Sequence, residues 1–143
     1  MATRNGKAIW SGDLQTGTGE VTVGNGVFSG NYSFKSRFED GDGTNPEELL
    51  AAAHAGCYSM QLSAMLAEAG TPANSVDTEA VCALRFIDGA PTITEIKLTT
   101  VGDVPGVSEE EFQKVAAQAK DACLVSRALA GVGEITLKAS LQG

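Results

Sequence analysis

Basic residues are scarce in this chain of 143 residues: 10 Lys and Arg stand against 18 Asp and Glu, for a formal charge of -8. A surface of that sign repels phosphate backbones and anionic lipid, which excludes nucleic acid and membrane surfaces as partners. Cysteine is scarce as well; three is too few, and of the wrong parity, for a disulfide framework. Only 4 Pro accompany 17 Gly, and the glycines follow no collagen-like period. Met1 to Lys7 holds no apolar run of the signal-peptide kind, so the expectation is a cytoplasmic protein. Gly-x-Gly-x-x-Gly after a strand, the P-loop, the Gly-x-Ser-x-Gly elbow and Cys-x-x-Cys are all missing. Nucleotide, serine-hydrolase and thioredoxin-type chemistry therefore have nothing to rest on.

What is present is 43% hydrophobic and 20% charged, a globular composition of single-domain size, so residues 1–143 are expected to form one domain. From Leu49 to Ala67 no charged residue interrupts the chain, yet the run is rich in Ala, carries His54 and Gln61, and lacks flanking Lys or Arg. It reads as a helix buried in a core rather than a membrane span. Asn45-Pro46-Glu47-Glu48 supplies its start, as N-cap, Pro at the first position and Glu at the third, and Gly70 with Pro72 supplies its stop after Ala69.

Before this helix, Lys7–Asp13, Glu20–Val23 and Tyr32–Phe38 carry strand patterns separated by Gly-rich turns. After it, Val76, Thr78, Ala80, Cys82, Leu84 and Phe86 alternate with polar neighbours, as a strand with one buried face does, and Asp88-Gly89 turns the chain into a strand around Ile93, Ile96 and Leu98. Ser108-Glu109-Glu110-Glu111 is a second capping box, opening a helix through Lys120, followed by a short helix from about Ala122 to Ala130 and a strand from Glu134 to Leu141. The order βββ-α-ββ-α-α-β predicts an α+β fold with a largely antiparallel sheet.

Thiol chemistry is what remains. Cys57 lies mid-helix, where Gly56 leaves one side of the sulfur open; its plainer role is that of a small buried hydrophobe. Cys123 sits at a junction of two helices, where free backbone N–H groups favour a thiolate, with core packing again the alternative. Cys82 falls on the apolar face of its strand and reads as structural. A peroxide-reducing thiolate needs a cation, and the cation a carboxylate. Arg37, at the end of the third strand pattern, and Glu47, left without a local role once Glu48 takes the capping position, are the candidates. His54 shares a helix face with Cys57, but structural zinc needs four ligands and close-spaced Cys or His pairs, so no metal site is expected. Tyr58, Met60 and Met65 read as core or interface filling.

Arg37-Phe38-Glu39 followed by Gly43-Thr44-Asn45-Pro46-Glu47-Glu48-Leu49-Leu50-Ala51-Ala52-Ala53-His54-Ala55-Gly56-Cys57 strongly resembles the OsmC/Ohr family, the osmotically inducible and organic hydroperoxide resistance proteins, on its OsmC branch. The likeness extends from Trp10-Ser11-Gly12-Asp13 through Val104-Pro105-Gly106 to the last strand. It implies an OsmC-like fold, a curved sheet on a long central helix, and an intertwined homodimer with shared sites. It also implies a peroxidase acting on organic hydroperoxides, and more weakly on hydrogen peroxide, in oxidative and osmotic stress, with no cofactor. By position Cys57 resembles the peroxidatic thiol, Cys123 the resolving one, Arg37 the activating cation and Glu47 the acid that orients it. An external thiol, a lipoyl-bearing or other dithiol, would regenerate the enzyme. One departure stands out: Leu124 occupies the place where the family usually has Pro, so a backbone N–H is kept after Cys123.

Two other classes of function compete, a module binding a hydrophobic ligand without turnover and a structural stress protein. Both predict that Cys57→Ser changes nothing. Glu47 and Cys57, almost three turns apart on one helix, are separated by ~15 Å along its axis. Either the first turns of the helix bend away through its Ala-rich segment or Glu47 and Arg37 come from a second subunit; the nearly all-round apolar character of Leu49 to Leu66 favours the second, so the expectation is a dimer in which Glu47 and Arg37 of one subunit serve Cys57 of the other.

Overall fold

The elements run β1 (Gly6–Ser11), β2 (Thr18–Val23), β3 (Phe28–Tyr32), α1 (Phe34–Phe38), α2 (Pro46–Glu68), β4 (Ser75–Ile87), β5 (Ala90–Asp103), α3 (Glu109–Ala122), α4 (Leu124–Ala128) and β6 (Glu134–Leu141). The computed structural model describes all 143 residues, which gather into two compact units, Met1–Leu49 and Leu50–Gly143. The fold is α+β, with the strands divided between two three-stranded sheets rather than joined in one.

In the first unit β1, β2 and β3 form an antiparallel meander. Gly19 stands in register with Trp10 on one side and Tyr32 on the other, whose ring centroids are 5.3 Å apart; a Cβ at Gly19 would run into both rings. The third strand ends at Tyr32, and the expected continuation to Phe38 is instead the helix α1. Ser33 explains the change. Its hydroxyl accepts from the Ser36 N–H at 3.1 Å while the Ser36 hydroxyl accepts from the Ser33 N–H at 2.8 Å, a reciprocal capping box that two serines make as well as Ser and Glu. Arg37 is accordingly a helical residue, not the end of a strand.

Asn45 caps α2 as its residue type predicts: its Oδ1 accepts from the Glu48 N–H and its Nδ2 donates to the Ser36 carbonyl of α1, both at 2.8 Å. The Glu48 carboxylate does not complete a capping box; it accepts from the Thr44 hydroxyl at 3.0 Å. At its other end α2 stops at Glu68, where Gly70 takes a left-handed φ of 88° and the Thr71 N–H reaches the Leu66 carbonyl.

In the second unit β4 and β5 make a long antiparallel hairpin closed by Asp88 and Gly89, both at positive φ, the two-residue turn that matches strand twist. A bulge between Ala83 and Leu84 breaks the alternation, and Phe86, expected on the buried face, is 65% exposed at the hairpin tip. The chain then crosses through α3 and α4, so β6 adds to β5 in parallel. Ser108 caps α3, accepting from the Glu111 N–H at 3.2 Å. His54, Tyr58, Leu62 and Leu66 form the buried stripe of α2, the last three packing with Leu98, Val104, Phe112, Val115, Ala116, Ala119 and Cys123 in one core. The opposite stripe, with Ala53, Gly56, Met60, Ala64 and Ala67, is exposed although it is apolar. No helix is long and apolar enough to cross a membrane.

Candidate active site

Each compact unit brings together one pair of the residues singled out from the sequence. In the first unit Arg37 on α1 and Glu47 in the first turn of α2 meet side by side. Nη2 donates to Oε1 at 2.8 Å and Nε to Oε1 and Oε2 at 3.2 and 3.3 Å. The Glu47 side chain is 9% exposed and that of Arg37 37%. The carboxylate thus fixes the guanidinium from behind and leaves part of the fork open. Phe38 lies under the guanidinium, with Cζ 5.2 Å from the ring centroid. Capping at Ser33 and Asn45 sets the two helix starts that make this meeting possible.

In the second unit Cys57 on α2 and Cys123 bring their sulfurs to 2.9 Å, and both remain free thiols. Cys123 ends α3 and begins α4, at φ -58° and ψ 128°, so the chain breaks its helix at the sulfur-bearing residue. Cys123 is wholly buried, whereas Cys57 is only half-buried. Cys82 is half-buried on β4, on the inward side of its strand.

The two thiols, in contact at 2.9 Å, influence each other's titration. Burial, with Cys123 beside it, pushes the Cys57 thiol up, against the pull of the Val125 and Leu124 N–H groups. Burial also acts upward on Cys123, but its polar surroundings, Cys57 first and then Ser126 and the Val125 N–H, outweigh it and bring this thiol down. The N–H that Leu124 keeps is one of the groups acting on Cys57.

His54 accompanies this pair. Its Nε2 lies 2.7 Å from the Ser126 hydroxyl, its Nδ1 has no partner, and burial lowers its pKa. Tyr58, beside it on α2, donates to the Ala116 carbonyl at 3.0 Å, and burial together with Cys123 raises its phenol far above the usual value. No group of three or more His, Cys, Asp and Glu side chains comes together to hold a metal ion. Sequence reasoning passed over Ser126 entirely and weighed His54 only as a ligand. The available signal was that Ser126 follows Cys123 by the same spacing that separates His54 from Cys57.

A family model described as OsmC-like protein matches residues 39–138. Peroxiredoxin OsmC of Escherichia coli (strain K12) is 44% identical over 140 residues, 97% of this chain and 96% of that protein. Among solved structures, the OsmC-like protein from Mycoplasma pneumoniae superposes with a TM-score of 0.77 at 17% identity, over 99% of both chains. The organic hydroperoxide resistance protein from Elizabethkingia anophelis does so with a TM-score of 0.73 at 25% identity, over 100% of this chain and 97% of that one.

Proposed function

The chain belongs to the OsmC-like protein family, and from that premise we propose that it is a cysteine-based peroxidase, reducing organic hydroperoxides to alcohols in oxidative and osmotic stress. The observation that carries the reading is the pair of sulfurs 2.9 Å apart, one reachable and one wholly buried. A peroxide needs access to the sulfur it oxidises, so Cys57 is the peroxidatic thiol and Cys123 the resolving one. The family match crosses the division after Leu49, which supports reading residues 1–143 as one domain.

In this cycle the Cys57 thiolate attacks the peroxide oxygen distal to the organic group; the O–O bond breaks, an alkoxide leaves and takes up a proton, and Cys57 becomes a sulfenic acid. Cys123 then displaces its oxygen as water to form a disulfide, which an external dithiol, of lipoyl or other type, reduces. The first step needs a thiolate, and since burial, with Cys123 beside it, raises the Cys57 thiol, a cation has to favour its ionised form. Arg37, already oriented by Glu47 and partly open, supplies it and stabilises the departing alkoxide.

Glu47 and Cys57 are ~15 Å apart along one helix, which supports drawing Arg37 and Glu47 from a second subunit. The exposed apolar stripe of α2, with Met60 76% exposed, supports the same homodimer. The test is consumption of cumene hydroperoxide and of hydrogen peroxide with dithiothreitol present. Wild type is expected to consume the organic peroxide faster and Cys57→Ser to consume neither. A Cys57→Ser variant as active as wild type leaves ligand binding or a structural role in its place.

A further inference from the structure

Cys57 and Cys123 are not the only side chains through which α2 meets the start of α4. One turn earlier on α2, His54 meets Ser126, one turn later on α4, with Nε2 and Oγ 2.7 Å apart. Residues three apart on each helix thus pair in opposite order, and the hydrogen bond fixes the register in which the sulfurs lie 2.9 Å apart. His54 is wholly buried and Ser126 7% exposed. An imidazole sealed in a core with Nδ1 unpartnered is a costly way to fill space, since a Leu would leave no polar atom unmet.

The 2.7 Å separation of His54 Nε2 and Ser126 Oγ is a hydrogen bond whose direction the ring tautomer sets. Cys123 Sγ donates to Cys57 Sγ at 2.9 Å. When peroxide converts Cys57 to a sulfenic acid that contact must be remade, so the place of Cys123 then depends on the start of α4 and on the bond that Ser126 makes to α2.

We infer that His54 and Ser126 are positioning residues for disulfide formation: the hydrogen bond between them holds the start of α4 against α2, and with it the resolving sulfur of Cys123 against Cys57. The inference rests on the two-thiol cycle proposed above. In the step it assists, a lone pair of Cys123 Sγ forms the S–S bond as the S–O bond of the Cys57 sulfenic acid breaks with its electrons on oxygen. The hydroxide that leaves combines with the proton released by Cys123 as water. The Cys57 sulfur is reduced and the Cys123 sulfur oxidised to the disulfide level, so no outside oxidant enters, and His54 and Ser126 end as they began.

The test separates the two steps in the full-length protein, reduced, freed of reductant and given one equivalent of cumene hydroperoxide. Loss of the Cys57 thiol is followed beside disulfide formation, with dimedone trapping sulfenic acid. Ser126→Ala and His54→Leu are expected to lose the Cys57 thiol at the wild-type rate, form the disulfide about tenfold more slowly, and accumulate the dimedone adduct. Ser126→Thr, which keeps the hydroxyl, and His54→Gln, which keeps an N–H near Nε2, are expected to recover most of the rate. Disulfide formation at the wild-type rate in Ser126→Ala overturns the inference, as does failure of both conservative variants to recover. If His54→Leu does not fold, the two Ser126 variants decide alone. A wild type that forms neither sulfenic acid nor disulfide contradicts the peroxidase reading instead.

Discussion

Glu47 accepts three hydrogen bonds from Arg37, two from Nε and one from Nη2, at 2.8 to 3.3 Å, while the carboxylate of the neighbouring Glu48 accepts from the Thr44 hydroxyl. Two adjacent acids in one helical turn thus do different work: one aims a guanidinium, the other trims a helix start.

Arg37→Met and Glu47→Ala are expected to slow peroxide reduction about tenfold or more while leaving the protein folded, because the thiolate loses its cation or the cation its orientation. Glu48→Ala is expected to keep its rate and lose roughly 0.5 kcal/mol of stability. Steady-state rates beside urea melts check both; exchanged phenotypes between the two glutamates contradict the assignment.

Leu124 is exposed at the first position of α4, where Pro fits a helix, and its N–H acts on Cys57. Leu124→Pro is expected to fold normally, raise the Cys57 thiol further and slow its attack on peroxide by about two- to fivefold, the effect of one lost hydrogen bond. The pH dependence of thiol alkylation, with a single-turnover rate, measures this. An unchanged or lowered Cys57 pKa contradicts it.

Burial holds the folded pKa of His54 below the ~6.5 of an unfolded histidine. Between those two values the unfolded chain binds the extra proton, so stability rises with pH. This contribution is fully present above about pH 6.5 and is lost progressively as pH falls below it. Urea unfolding at pH 7.5 and pH 5 is therefore expected to show a larger loss for wild type than for His54→Gln. Equal losses contradict the neutral, buried imidazole.

A site shared between subunits allows complementation. Mixing inactive Cys57→Ser with the slowed Glu47→Ala under conditions of subunit exchange is expected to restore one fully competent site per heterodimer and so raise the rate above that of Glu47→Ala alone. An active monomer on sizing, or no recovery after confirmed exchange, contradicts the shared site.

Much of the fold was legible where one residue type has one job. Asn45-Pro46 began α2, Gly70 ended it, and Asp88-Gly89 turned the hairpin, each for a local reason visible in sequence. Tyr32 to Phe38 misled because its aromatics look like strand formers, while the decisive Ser33 and Ser36 make a capping box without a Glu. Phe86 misled because a bulge shifts the register without a signal of its own. The parallel pairing of β6 depends on the crossover through α3 and α4. The contact between His54 and Ser126 joins positions 72 residues apart and has no local signature.

The most direct test of the account is peptide mapping by mass spectrometry after one equivalent of an organic hydroperoxide. The account predicts an intramolecular disulfide between Cys57 and Cys123, with Cys82 still reduced. A dominant bridge to Cys82, or continued peroxide reduction with no bridge at all, would contradict it.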